Sequence, residues 1–116
     1  MVERKRLINN ELFEYQPFNY DRFVRCWSMV FQQNDKSLVR QKFVDGEMGS
    51  VVNILGFRVS NDGGRAKITG RNSEVAYVIS DNFSICLEED EGNLAVLAQC
   101  MDENRHEIIY RFFPKR

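Results

Sequence analysis

The sequence contains little of what most catalytic and metal sites are built from. It has one histidine, His106, and three cysteines, none of them in a Cys-x-x-Cys spacing. Structural zinc sites need clusters of Cys and His, and an activated Ser or Cys nucleophile needs a neighbouring base. Phosphate-binding motifs are missing too, since Gly63-Gly64 is typical of a hairpin tip. We therefore predict no enzyme, no metal and no cofactor.

An excess of one charge and long apolar runs are missing as well. Sixteen Lys and Arg oppose seventeen Asp and Glu, for a net charge of −1, whereas nucleic-acid-binding domains usually carry a clear positive excess. No apolar run exceeds five residues, while a membrane span needs roughly 20. The charged first ten residues also lack the apolar region of a secretory signal. The sequence predicts no membrane span and leaves the compartment open.

Proline and glycine are scarce, with two and seven residues, but the apolar content of 43% and aromatic content of 12% exclude disorder. Beyond residue 24, short β-rich segments alternate with turn residues such as Asp45-Gly46. The predicted strands are 25–32, 37–44, 49–59, 65–71, 75–80, 83–88, 94–101 and 106–113.

Every connection between these segments is short, so consecutive strands are expected to be antiparallel neighbours. Eight such strands remove their exposed edges when they close. The predicted fold is therefore all-β, an eight-stranded antiparallel up-and-down barrel. Residues 1–18 form a lead-in, and residues 19–116 form the single barrel domain, which opens on a short helical turn at 19–23.

A barrel of eight strands is either filled by side chains or holds one small ligand. Alternation places Trp27, Met29 and Phe31 on one face of the first predicted strand, and a concave site lined by apolar groups with a few polar anchors suits a small hydrophobic molecule. The candidate ligand-binding residues are Trp27, Met29, Phe31, Val39, Gln41, Phe43, Asn53, Phe57, Tyr77 and Phe83. Among them Gln41, Asn53 and Tyr77 are the polar anchors.

Several segments, in order, resemble the boxes of the lipocalin family, with an apolipoprotein-D-like pattern. Residues 20–29 are similar to the first box, in which a helical turn leads to a strand that carries a Trp. Residues 49–53 and 67–70 are similar to the third and fourth strands. Residues 89–100 are similar to the second box and end in Cys, and Arg111 matches the Arg of the third.

This resemblance implies a calycin-type barrel whose end is closed by Arg111 stacked on Trp27. It also implies a non-enzymatic carrier of a small hydrophobic ligand, or a binder of a protein partner at the rim, and a secreted protein. The expected oligomeric state is a monomer or a weak dimer.

Two other functions fit the residues. One is an interaction module with a filled core, in which the aromatic side chains are ordinary packing. The other is a single-strand nucleic-acid binder of the OB type. Its basic face would consist of Arg40, Lys42, Arg58, Arg65, Lys67 and Arg71.

The three cysteines, Cys26, Cys86 and Cys100, are predicted to be free thiols. On the predicted strands, Cys26 and Cys100 are not on neighbours, and Cys86 and Cys100 need not align across their hairpin. A disulfide requires the two Cα atoms to lie within about 7 Å.

Overall fold

A computed structural model describes residues 10–71 and 76–115, so the first nine residues of the predicted lead-in and the predicted turn at 72–73 lie outside the described residues. One helix, α1 (Tyr20–Val30), follows a 3-10 turn at Asn10–Phe13. The strands are β1 (Gln16–Pro17), β2 (Ser37–Val44), β3 (Glu47–Leu55), β4 (Arg58–Asp62), β5 (Arg65–Thr69), β6 (Ala76–Ile79), β7 (Ser84–Asp90), β8 (Asn93–Met101) and β9 (Glu107–Pro114). The predicted mostly-β character is confirmed.

The first predicted strand is wrong, because residues 20–30 form α1. Asn19 caps the helix, and its side-chain Oδ1 accepts a hydrogen bond from the backbone N–H of Arg22 at 3.1 Å. The apolar residues that α1 buries recur at helical spacing, which outweighs the alternation of Trp27, Met29 and Phe31. The buried residues are Phe23, Cys26, Trp27 and Val30.

The strands form two antiparallel sheets, which corrects the prediction of eight strands in one closed barrel. Sheet A has the order β1-β7-β8-β9-β2-β3, and sheet B has the order β4-β5-β6. The predicted strand 49–59 is divided at Gly56, where the chain leaves β3 for β4. Gly56 has a φ of +60°, which glycine adopts more readily than other residues. A Cβ at this position would also lie only 3.0 Å from Cβ of Arg71, so the lack of space favours glycine as well.

Two of the hairpin turns follow the predicted chemistry. Asp45 and Gly46 join β2 to β3 with φ values of 50° and 84°, and Glu91 and Gly92 join β7 to β8 with 52° and 83°. Two successive positive φ values match the right-handed twist of the paired strands. These turns set the register of the two hairpins.

Helix α1 lies between the sheets and fills the space that a barrel lumen would occupy. The ring of Trp27 lies 5.7 Å from that of Phe112 on β9 and 5.9 Å from that of Phe57, which precedes β4. On sheet A the face turned to α1, here the inner face, carries Leu38, Val96 and Phe112. The opposite face is called the outer face.

All three cysteines are free thiols, as predicted, and Cys26 and Cys86 are buried. Within the described ranges, no helix is both long and apolar enough to cross a bilayer.

Candidate ligand-binding site

The predicted ligand-binding residues do not share one lumen. Trp27 stacks on Phe31 with ring centroids 4.2 Å apart, and Phe31 lies 5.1 Å from Phe57. All three belong to the core that α1 forms with the sheets, while Met29 points away from it and is 42% exposed. This part of the predicted site is packed with side chains.

Four further predicted residues lie on the other side of sheet A. Val39, Gln41 and Phe43 alternate on β2 with the inward residues Leu38 and Arg40, and they are in register with β9 residues of the outer face. Asn53, which pairs with Val39, lies on the same face. The prediction that these side chains face the same lumen as Trp27 is wrong.

The last two predicted residues, Tyr77 and Phe83, lie where sheet B meets the inner face of sheet A. Tyr77 on β6 lies 6.0 Å from Tyr110 on β9, and Phe83 lies 6.2 Å from the same ring. These aromatic side chains surround Arg40, a residue that was not predicted to lie inside.

Arg40 is 5% exposed, and it is the one charged residue among the buried residues of the described chain. Its Cζ lies 5.0 Å from the ring centroid of Tyr77 and 5.5 Å from that of Tyr110. Its Nη1 donates a hydrogen bond to Oγ of Ser50 at 3.3 Å. Its Nε is buried and has no hydrogen-bond partner among the described residues.

The surroundings of Arg40 are positive. Nζ of Lys42 lies 6.0 Å from the Tyr110 ring, so two cations flank one aromatic side chain. No ion pair joins Arg40 to a carboxylate within the described part of the chain. We call Arg40, Lys42, Ser50, Tyr77 and Tyr110, with Phe83 beside them, the Arg40 cluster.

The energetics of Arg40 favour an anion. Each cation–π contact contributes about 0.5–2 kcal/mol, whereas a buried donor without a partner costs about 1–3 kcal/mol, and more when it is charged. The two rings therefore offset much of the cost of burial but leave the Nε hydrogen without an acceptor. A carboxylate or sulfonate that bridges Nε and Nη2 would supply it, because this edge of the guanidinium matches two oxygens.

Sequence reasoning missed Arg40 as an inward residue because charged residues are usually assigned to the outside of a barrel. The pattern that contains this information is the strand period: Arg40 lies two residues after Leu38 on β2 and therefore shares its face, and Leu38 is fully buried. The period puts Leu38 and Arg40 on one face, and the packing of Leu38 in the folded protein makes that face the interior.

Arg111 does not close a barrel over Trp27. Its Nε donates to Oε1 of Glu88 at 2.6 Å, and its Nη1 donates to Oε1 of Gln41 at 3.0 Å. Its Cζ lies over the ring of Phe113 at 4.7 Å, on the outer face, while Trp27 packs on the inner face through Phe112. The predicted stacking of Arg111 on Trp27 is therefore wrong.

The basic residues considered for nucleic-acid binding do not form one face. Arg40 and Lys42 lie on the inner face of sheet A. Arg58, Arg65 and Lys67 lie on the face of sheet B that points away from the core, because they alternate with the buried Ala66 and Ile68 and their partners. The separation breaks up the continuous basic groove that single-strand binding uses.

In the described residues, His, Cys, Asp and Glu form no group of three or more that could hold a metal ion. Comparisons with protein families, with curated proteins and with solved structures find no match to this chain.

Proposed function

We propose that the protein is a non-catalytic binding protein and that its ligand is a small amphipathic anion held at the Arg40 cluster. The proposal keeps the small-molecule ligand that the sequence suggests but moves its site from the lumen to the junction of the two sheets. The observation that carries it is the buried Nε of Arg40, which has no acceptor in the described chain.

The proposed ligand has two parts. Its anionic group accepts hydrogen bonds from Nε and Nη2 of Arg40, and Lys42 adds a second positive charge nearby. Its apolar part contacts the rings of Tyr77, Tyr110 and Phe83. Such a site has the usual composition of a small-molecule pocket, which is mostly apolar with a few polar groups that fix orientation.

Entry of the ligand requires a side chain to move, because Nε is covered in this structure. Tyr77 is the side chain that we expect to swing aside. It lies on β6, which has a single hydrogen-bonded neighbour, β5, in the described sheet, so that its strand is less constrained than the central strands of sheet A.

A pair of fluorescent probes tests the proposal, 1-anilinonaphthalene-8-sulfonate and N-phenyl-1-naphthylamine, which share the same rings and differ by the sulfonate. We expect the anionic probe to bind at least roughly tenfold more tightly, since a hydrogen bond to a charged group contributes about 1.5–3 kcal/mol. Fluorescence titration measures both affinities.

Three variants assign the binding to the cluster. Arg40→Met should weaken the binding of the anionic probe by about 10- to 100-fold and leave the affinity for the neutral probe unchanged. Arg40→Lys should weaken the binding of the anionic probe less than Arg40→Met does, because lysine keeps the positive charge but lacks the two-donor edge of the guanidinium. Arg58→Met, which removes an exposed cation from sheet B, is the matched control and should change neither affinity.

Equal affinities of the two probes for the natural sequence would contradict the proposal. So would unchanged binding of the anionic probe by a folded Arg40→Met variant. Either result would mean that Arg40 is held inside by its two tyrosines and Ser50, without a ligand.

A further inference from the structure

A second feature, independent of the Arg40 cluster, is the apolar outer face of sheet A. Antiparallel sheets that face water on one side normally present polar residues there. The outer residues of β2, β3 and β9 are instead largely apolar and are half-buried or exposed. The apolar ones are Val39, Phe43, Met48, Val51, Leu55, Ile109 and Phe113, and the polar residues Gln41, Asn53, Glu107 and Arg111 lie among them.

Exposure is greatest along β3, the edge strand. Met48 is 53% exposed, Val51 51% and Leu55 57%. Toward the other side of the sheet, the Tyr15 hydroxyl contacts the Cys86 thiol on β7, so the lead-in covers that end of the face. A contiguous apolar patch of this kind marks an interaction site in a soluble protein.

The centre of this face carries a balanced pair of charges. Arg111 and Glu88 are joined at 2.6 Å and line a groove of about 490 Å³, which also contains Phe43, Leu97 and Ile109. Their side chains are 21% and 38% exposed, so both remain available to a partner. The Arg111–Glu88 pair itself carries no net charge, and Asp90 adds one negative charge in the same groove.

We propose that the occupant of this face is a second copy of the chain, packed outer face to outer face about a two-fold axis. A two-fold axis between Arg111 and Glu88 would bring the cation of each copy to the anion of the other, so that these two side chains complement their own copies across the contact. The apolar residues around them would be buried in the same contact.

The size of the face indicates a weak dimer. With β7 and β8, which carry Glu88 and Leu97 of the groove, the contact would span five strands of sheet A. Five strands spaced about 4.8 Å apart with about 20 Å of common length cover on the order of 500 Å². A standard stable interface buries about 800 Å² of each partner. We therefore expect dissociation in the micromolar range.

Analytical ultracentrifugation of charge variants, from micromolar to millimolar concentration, tests the proposal. The natural sequence should sediment as a dimer at the upper concentrations. Arg111→Glu would place four anions at the axis and Glu88→Arg four cations, so each variant alone should dimerise at least roughly 100-fold more weakly. Mixing the two variants should restore a dimer, because an all-negative face then meets an all-positive one.

Recovery on mixing is the decisive result, since charge pairing within one chain cannot produce it. Val78→Lys places a charge on an exposed apolar site of sheet B, 38% exposed, and should leave the dimer unchanged. Circular dichroism checks that each variant is folded. A natural protein that stays monomeric throughout, or a mixture of folded variants that does not associate, would overturn the proposal.

Discussion

Arg40 on β2 and Arg111 on β9 lie one register position apart, on opposite faces of sheet A, and their surroundings differ accordingly. Arg40 pairs with Phe112, and the next residue, Gln41, pairs with Arg111. Arg111 points outward and has a carboxylate and an amide as acceptors. Arg40 points inward, where its environment consists of two tyrosine rings and one serine hydroxyl. The first is a satisfied surface ion pair, and the second is a buried cation that lacks an acceptor.

His106 gives a prediction about pH at the scale of a single residue. Its Nδ1 lies 2.6 Å from Oδ2 of Asp45, and the other oxygen of Asp45 accepts a hydrogen bond from the backbone N–H of Glu107 at 2.9 Å. The hydrogen bond to Asp45 and the charge of Asp45 raise the pKa of His106. The pKa of Asp45 is lowered, first by the hydrogen bond from the Glu107 amide and second by the hydrogen bond from His106. The two side chains therefore tie the β2–β3 turn to the start of β9 while both are charged.

The sign of the pH dependence follows from these directions. The contribution of His106 to stability is complete below its ordinary pKa, near 6.5, and is lost as the pH rises through the raised value in the folded protein. The contribution of Asp45 is complete above its ordinary pKa and is lost as the pH falls through the lowered value. NMR titration of the single histidine should give a pKa above the ordinary value, and Asp45→Asn should lower that pKa toward the ordinary value, while the charge of Asp102 still raises it. Identical titrations of the two proteins would contradict the pairing.

At the scale of the element, α1 shows how a short amphipathic pattern can be assigned to the wrong period. Trp27, Met29 and Phe31 alternate as in a strand, yet Phe23, Cys26, Trp27 and Val30 repeat as in a helix. Asn19 at the N-cap, together with Asp21 in the first turn, is a helix-start signal that the sequence contains. The signal marks where the helix begins, and the structure extends the single turn predicted at 19–23 to a helix of 11 residues.

The cap gives a prediction about the stability of α1. Asn19→Ala should lower the free energy of unfolding by about 1 kcal/mol, because it removes the acceptor for the Arg22 amide. Asn19→Ser should restore most of the loss, since a serine hydroxyl also caps. Urea titration at unchanged m-value measures the difference. The control is Asn53→Ala, on the exposed side of β3, and an equal loss in Asn19→Ala and Asn53→Ala would contradict a capping role.

At the scale of the whole molecule, α1 converts what would be a barrel into a helix enclosed by two sheets. The β3–β4 corner at Gly56 directs sheet B over the helix. The ring centroid of Tyr77 in sheet B then lies 6.4 Å from that of Phe112 in sheet A. Aromatic and aliphatic side chains together fill the interior. Among the described residues, the inner face is basic at the Arg40 cluster, where we place the ligand.

The thiols report on the integrity of this packing. Burial raises the pKa of Cys26 to about 11 and that of Cys86 to about 12, and Cys100 is less deeply placed. In the native protein Cys100 should react first with a thiol reagent, and Cys26 and Cys86 should react only as fast as the structure opens, because the thiolate is the reactive form. In denaturant without reductant, three thiols per chain should react. If Cys26 or Cys86 reacted as fast as Cys100 in the native protein, the result would contradict their burial. A count of one reactive thiol in denaturant would contradict the unpaired state.

The resemblance to lipocalins stays a prediction, because no comparison tests it. Two features on which it depends are different in the structure. Trp27 lies on a helix and not on a first strand, and Arg111 lies on the far side of sheet A from it. The proposed small-molecule function therefore depends on the Arg40 cluster and not on the family boxes.

What the sequence by itself determined about this protein is its local structure. Strand 37–44 was predictable to the residue, and the turn at Asp45-Gly46 follows from residues that tolerate positive φ. These features depend on neighbours within a few positions. The tertiary structure alone decided which period residues 25–31 adopt, where the sheet divides, and that Arg40 lies inside while Arg111 lies outside. Each of these depends on contacts between segments that are far apart in the chain. A strand has two faces, and the face against which another element packs becomes the interior.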